Sequence, residues 1–377
     1  MRISRSVLSC CALAGSAALV LAGCSSTDAG METTTDNAKM DSAQVVHAVA
    51  TTTQICDYLT HIAATGMTLE KTDAQGQETT SGSGDVTLDL TCLLAPNASA
   101  HEHEMTPKQM KALGNADLFF VNGVDLEHFL DSAISSSGFK GTMAVTSGVS
   151  DEKGEGFDVD LGVEKVEVRE WPFIEPGETP EFTHDPHIWT DPKRAAIQVT
   201  NIGSVLTKAD PAAADVFKDA VDTYKAKLDE LDQWVQDSIN SVPQENRTLF
   251  TSHDAFGYFS ESYGVKFVGA ALSDFNHQQD ATADHIQQAA EEVKASGARA
   301  LFAENSNNSK SIEAIARVAG VKAITDEDAL YGDSLGPVGS AGETYIGSII
   351  HNVTTLVEAW DGTVAPLPAS LQEFAKN

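Results

Sequence analysis

Two similar α/β lobes joined by one long α-helix are what the sequence predicts, and three observations carry the prediction. Short apolar runs rich in Val, Phe and Leu alternate with helical patterns in both halves of the chain, as they do where helices pack on a sheet. Between the halves, residues 210–242 carry one apolar stripe at helical spacing, long enough to join two bodies. With 377 residues and 42% hydrophobic composition, the chain is too long for one small domain and apolar enough to bury a core or two.

Residues 1–23 read as an export signal. Arg2 and Arg5 precede an apolar stretch from Val7 to Gly23 that is too short, and wrongly flanked, to span a bilayer. The stretch ends Leu21-Ala22-Gly23-Cys24, which resembles the lipobox of bacterial lipoproteins, where the cysteine receives lipid and becomes the first residue. An ordinary cleaved signal with an incidental cysteine is the alternative. No other segment reaches the roughly 20 apolar residues of a membrane helix. The expectation is a protein held at the extracytoplasmic face of the cell membrane by lipid on Cys24, its folded part in water. Residues 24–44, rich in Thr, Asp and Ser, read as a flexible tether. Cys10 and Cys11 leave with the signal, so Cys56 and Cys92 remain as a pair in an oxidising compartment. A disulfide is the default there, and a two-thiolate metal site is the competing reading.

The first lobe is assigned to residues 45–209, with strand-like runs at Val45 to Ala50, Val86 to Leu94, Leu118 to Val121 and Thr142 to Val145. Two segments within it read as loops. Lys71 to Gly84 is polar with a Ser-Gly-Ser-Gly tail, and Asp151 to Thr183 is dense in acids, prolines and glycines. The linking helix, 210–242, opens on Asp210-Pro211, a cap residue followed by proline at the first helical position. Phe217, Val221, Tyr224, Leu228, Leu231 and Val235 form its stripe, and Ser241-Val242-Pro243 stops it. Such a rod is about 45 Å long and limits how far two lobes can hinge. The second lobe, 243–377, has its runs at Thr248 to Thr251, Val265 to Ala270, Ala300 to Ala303 and Val321 to Ile324.

Charge narrows the function. Lys and Arg number 24 against 55 Asp and Glu, a net of −31 with His neutral. Such a chain cannot assemble the basic face that phosphate contacts need, which excludes a nucleic-acid partner. An acidic surface attracts cations only as a loose, salt-screened cloud, so specific chemistry has to come from particular side chains.

Of the 11 histidines, three stand where a strand has just ended, the place where open α/β sheets form their binding crevice. His101 follows the 86–94 run and precedes Thr106-Pro107, a helix start. His187 lies in Asp185-Pro186-His187-Ile188-Trp189, also before a proline-led helix, and His253 comes directly after Thr248 to Ser252. Neutral imidazole is the commonest protein ligand for transition metals, and three with a carboxylate suit tetrahedral zinc.

These segments resemble the metal-binding lipoproteins of ABC importers for zinc and manganese, the cluster A-I solute-binding proteins, over Val45 to Phe374. Five motifs in order carry the resemblance. They are His101-Glu102-His103-Glu104-Met105-Thr106-Pro107, then Asn115-Ala116-Asp117-Leu118-Phe119-Phe120-Val121-Asn122-Gly123 with Leu126-Glu127, and Asp185-Pro186-His187-Ile188-Trp189. Thr251-Ser252-His253-Asp254-Ala255-Phe256-Gly257-Tyr258-Phe259 and Tyr331-Gly332-Asp333-Ser334-Leu335-Gly336 complete the set. The resemblance implies a metal site in the cleft between the lobes, with His101, His187, His253 and Asp333 as ligands. It also implies zinc, because manganese binders of the family tend to carry Glu at the third position; manganese is the alternative. His103 stands where an aromatic residue is common and could exchange roles with His101. Glu304, ending the strand Leu301-Phe302-Ala303, is a candidate to hold an imidazole N–H from behind, and Asp326 and Asp328 are weaker rivals to Asp333. The acidic segment before His187 sits where related zinc proteins often have a His-rich loop; only His184 remains here, and a solvated surface loop is the reading, with loose gathering of metal the alternative.

The function expected is a monomeric, extracytoplasmic, lipid-anchored protein that captures Zn²⁺ and hands it to ABC permease subunits, and not an enzyme. A zinc hydrolase would need an open position and a general base, and no His-Glu-x-x-His motif is present. A metal-binding surface adhesin sharing the fold is a further alternative.

Overall fold

In a computed structural model of the chain, residues 45–101, 103–170, 183–271 and 282–376 are described. The expected signal, lipidated Cys24 and tether lie outside them. Among the described residues, no helix is long and apolar enough to cross a membrane.

The first sheet consists of β1 (Val45–Ala50), β2 (Met67–Thr72), β3 (Glu78–Gly82), β4 (Val86–Cys92), β5 (Leu118–Val121), β6 (Thr142–Val145) and β7 (Asp158–Asp160), in the spatial order β3-β2-β4-β1-β5-β6-β7. Its neighbours run parallel except for the β2/β3 hairpin. Helices α1 (Thr53–Ala63), α2 (Pro107–Gly114), α3 (Leu130–Ser137) and α4 (Pro192–Ala209) belong to this half. After α5 (Ala214–Asn240), the second sheet is smaller: β8 (Thr248–Thr251), β9 (Lys266–Ala270), β10 (Ala300–Phe302) and β11 (Lys322–Ile324), all parallel, in the order β11-β10-β8-β9. With it go α6 (Gly257–Tyr263), α7 (Ala283–Ser296), α8 (Lys310–Ala319) and α9 (Tyr345–Ala359).

Period-two alternation along buried strands explains how the layers assemble. In β5, Phe119 packs on the outer side with Leu113, Ala133 and Met143, whereas Phe120 faces the opposite core. In the second sheet, Phe250 and Leu301 join α7 and α8, while Leu249 and Phe302 face inward. The inner faces of both sheets share one continuous core with α5, whose Phe217, Val221, Tyr224, Leu228, Leu231 and Val235 are all buried in it. The expected helix start is tighter than an α-helix: Pro211–Ala213 form a 3-10 turn, with the Asp210 side chain accepting from the Ala212 N–H. The 27 residues of α5 that follow span about 40 Å.

The segment expected as a loop at 71–84 is largely a hairpin. Met67 and Leu69 point into the core while Thr68 and Glu70 point away, so β2 has strand periodicity, but β3 is Glu-Thr-Thr-Ser-Gly and exposed throughout. An edge strand with no buried face leaves no hydrophobic signal. Its turn is set by Asp73, whose carboxylate accepts from the backbone N–H groups of Gln75 and Gln77 at 3.0 and 2.8 Å, and by Gly76 at φ +82°, a left-handed conformation that glycine adopts freely. The acidic segment likewise holds β7 and a bridge between Glu170 and His184; residues 171–182 lie outside those described.

Cys56 on α1 and Cys92 at the end of β4 are joined by a disulfide, which excludes the two-thiolate metal reading.

Candidate metal centre

Each candidate ligand stands just beyond the carboxyl end of a strand or in a loop held by one. His101 follows β4 by way of residues 93–100, and the loop ends on Thr106, which caps α2 in a reciprocal capping box with Gln109. His187 precedes a 3-10 turn, Ile188–Thr190, and α4, whose N-cap is Asp191. His253 is two residues past β8, and Asp333 lies in the segment between β11 and α9. The structure brings these four together: one ligand atom from each lies within 4.8 Å of the others. All four are buried, His101 at 8% exposure, His187 at 0%, His253 at 4% and Asp333 at 2%.

Nε2 of His101 and Nε2 of His187 are 3.2 Å apart. Asp333 Oδ1 lies 3.5 Å from His187 Nε2 and 3.6 Å from His253 Nδ1, and Oδ2 lies 3.7 Å from His101 Nε2. Burial opposes ionisation of Asp333, but the imidazoles of His253, His101 and His187 outweigh it and hold the carboxyl well below the usual carboxylate range. Its Oδ1 is buried with no hydrogen-bond donor against it, which fits an oxygen able to hold a cation.

Behind the imidazoles stand carboxylates. Asp185 Oδ1 accepts from the His187 N–H at 3.0 Å and lies 2.8 Å from its Nδ1. A carboxylate only accepts, so Nδ1–H donates to Asp185 and the Nε2 lone pair faces the cluster. Glu304 Oε1 accepts from the backbone N–H of His253 at 3.0 Å, and its Oε2 is 3.2 Å from His253 Nδ1. Burial, and then the nearby Asp333 carboxylate, push the Glu304 carboxyl well above its ordinary value. Gly332 makes room for it, since a Cβ there would fall 2.0 Å from Glu304 Oε2. Burial first, then Asp185, also raises Asp254.

His103 does not join the cluster. Its ring packs edge-on against Phe129 at 5.1 Å and burial lowers its pKa. Asp326 and Asp328 are exposed on a 3-10 turn away from the four. Sequence reasoning assigned no role to several residues that hold the centre. Gln54 Nε2 donates to the Asp333 carbonyl at 3.1 Å, Ser99 Oγ to Asp333 Oδ2 at 2.8 Å, and Trp189 Nε1 to the Gly332 carbonyl at 2.9 Å. All three cross from the first half of the chain to the second. Tyr345 locks Trp189 in turn, donating to its carbonyl at 2.7 Å. Asp185 and Trp189 left a local signal, each lying two residues from His187 within the quoted motif.

Comparison with known proteins identifies the family. The model of a family described as the periplasmic component A of the zinc-uptake complex, ZnuA, matches residues 48–359. The zinc-binding protein TroA of Treponema pallidum is 31% identical over 278 residues, 73% of this chain and 82% of that one. The manganese-binding lipoprotein MntA of Halalkalibacterium halodurans is 30% identical over 268 residues, 71% and 80% of the two chains. The structure of the T. pallidum periplasmic zinc-binding protein TroA superposes with a TM-score of 0.63 at 26% identity, covering 84% of this chain and 98% of that one. On this match and these two relatives, the chain belongs to the ZnuA family of metal-binding solute-binding proteins of ABC transporters, which are not enzymes.

Proposed function

We propose that this protein captures Zn²⁺ outside the cytoplasm through His101, His187, His253 and Asp333 and delivers it to the permease of an ABC importer. The observation that carries the reading is the buried Asp333 carboxylate, whose Oδ1 has no hydrogen-bond donor and faces the imidazoles of His187 and His253, while His101 Nε2 lies 3.7 Å from its Oδ2. The spacings of 3.2 Å from His101 Nε2 to His187 Nε2 and 3.5 Å from His187 Nε2 to Asp333 Oδ1 are close to the edge of about 3.3 Å in a tetrahedron with zinc bonds of roughly 2.0–2.1 Å. Three nitrogens and one oxygen suit a borderline-soft ion, whereas manganese takes harder, oxygen-rich shells. The manganese reading draws its support from relatives named as manganese-binding.

In this reading the ion is gripped from both lobes, 45–209 and 243–377, with α5 as the link. Because α5 packs into the core of each, exchange of the ion proceeds through small shifts of the 331–335 segment rather than wide opening. The disulfide suits an oxidising compartment, in keeping with a monomer anchored by lipid on Cys24. Native mass spectrometry of purified protein offered equal Zn²⁺ and Mn²⁺ tests the proposal: one Zn²⁺ per chain is expected, and preferential loading with manganese would replace zinc by the second reading. Loss of zinc uptake in a deletion strain separates an importer component from an adhesin.

A further inference from the structure

The two oxygens of Asp333 have different surroundings. Oδ1 has no hydrogen-bond donor. Oδ2 accepts the Ser99 hydroxyl at 2.8 Å. That hydroxyl also accepts the backbone N–H of His101 at 3.3 Å, so its single proton is directed at the carboxylate. The surrounding loops fix the arrangement, because Asn97 N–H donates to the Leu335 carbonyl at 3.0 Å and Leu335 N–H to Thr53 Oγ1 at 2.9 Å. Ser99 thus links the backbone of the first histidine to the side chain of the fourth residue across the cleft.

We infer that Ser99 makes Asp333 a one-oxygen ligand, and that this sets the preference of the site for zinc over manganese. The inference rests on the metal-site reading proposed above. A carboxylate binds an ion through one oxygen or through both. A charge-assisted hydrogen bond on Oδ2 fixes the plane of the group and leaves Oδ1 as the donor, so the shell closes at three nitrogens and one oxygen. Zinc is satisfied by four donors; manganese favours more, and harder, ones, and is the ion that loses when the second oxygen is withheld. Removing the hydroxyl frees Oδ2 as a fifth donor.

The test uses the whole protein as wild type, Ser99→Ala and Ser99→Thr. Each is loaded with Co²⁺, whose visible bands are intense in four-coordinate sites and weak at higher coordination, and each is competed with Zn²⁺ against Mn²⁺. The wild type is expected to show intense bands. Ser99→Ala should weaken them and narrow the zinc-over-manganese ratio about tenfold, the scale of one hydrogen bond to a charged group, and Ser99→Thr, which keeps the hydroxyl, should restore both. An unchanged spectrum and ratio in Ser99→Ala overturn the role of Ser99, as does a change that Ser99→Thr fails to reverse. A wild type that binds neither Co²⁺ nor Zn²⁺ overturns the metal-site reading itself, and is recognised by occurring without any substitution.

Discussion

Asp185 touches no ion in the proposed site, yet its charge should be measurable in the affinity for zinc. One of its oxygens takes both the backbone N–H and the Nδ1 of His187, at 3.0 and 2.8 Å, in a residue only 1% exposed. Asp185→Asn keeps the shape and an acceptor but turns a charge-assisted bond into a neutral one, a loss of about 1–2 kcal/mol, or roughly tenfold in affinity. Asp185→Ala removes the acceptor altogether and leaves the ring of His187 unheld, so the loss should approach about a hundredfold, the upper range for a group that orients a metal-binding histidine. The Tyr258 hydroxyl donates to the backbone carbonyl of Asp185, so that contact between the two halves survives either change. Competition against a chromogenic zinc chelator gives the affinities, and thermal melts of the metal-free variants show whether the fold persists. An alanine variant that folds and binds zinc as tightly as the wild type would refute the reasoning that His187 needs its carboxylate.

Other outcomes follow from the same structure. Replacing Cys56 and Cys92 together by alanine opens a loop with a sequence separation of 36, and denaturant titration should show a loss of about 4 kcal/mol on the chain-entropy account. Gly332→Ala drives a methyl group against Glu304 Oε2; overpacking of this kind costs about 1–3 kcal/mol and should lower zinc affinity, read by melts and by the same competition assay. Burial lowers the pKa of His351, whose Nε2–H donates to the Ala329 carbonyl at 3.0 Å. Its contribution to stability is therefore full above the ordinary imidazole value and is lost as the pH falls through the depressed folded one; His351→Gln should flatten the acid limb of a plot of urea midpoints against pH. Zinc affinity should fall as the medium is acidified, because protons compete with the ion for its ligands, while Asp333, held well below the usual carboxylate range, stays charged. Equilibrium dialysis across a pH series reads this directly.

The apolar runs named in the sequence became strands because buried parallel strands read as unbroken Val, Leu and Phe, as in Leu118-Phe119-Phe120-Val121. What escaped carries little apolar signal: β2, with only Met67 and Leu69 turned to the core, β3, exposed on every residue, and β7, an Asp-Val-Asp strand on the opposite edge. The four clustered residues were legible for a different reason, since strand ends and quoted motifs pointed at His101, His187, His253 and Asp333 separately. Their supports were not. Ser99 and Asp333 are 234 residues apart, Trp189 and Gly332 143, and Gln54 and Asp333 279. No local period or spacing encodes a partner at such distances; only folding two lobes onto α5 creates it. His103 shows the converse, a histidine two positions from His101 that turns to Phe129 instead, a difference of side-chain direction that spacing does not report.

X-ray absorption spectroscopy of the zinc-loaded protein tests the central claim most directly. The account predicts a first shell of four light atoms at roughly 2.0–2.1 Å with the multiple-scattering signature of three imidazoles, reduced by one in His253→Ala. A sulfur neighbour, a shell of oxygens with no imidazole, or a spectrum unchanged in His253→Ala would contradict it.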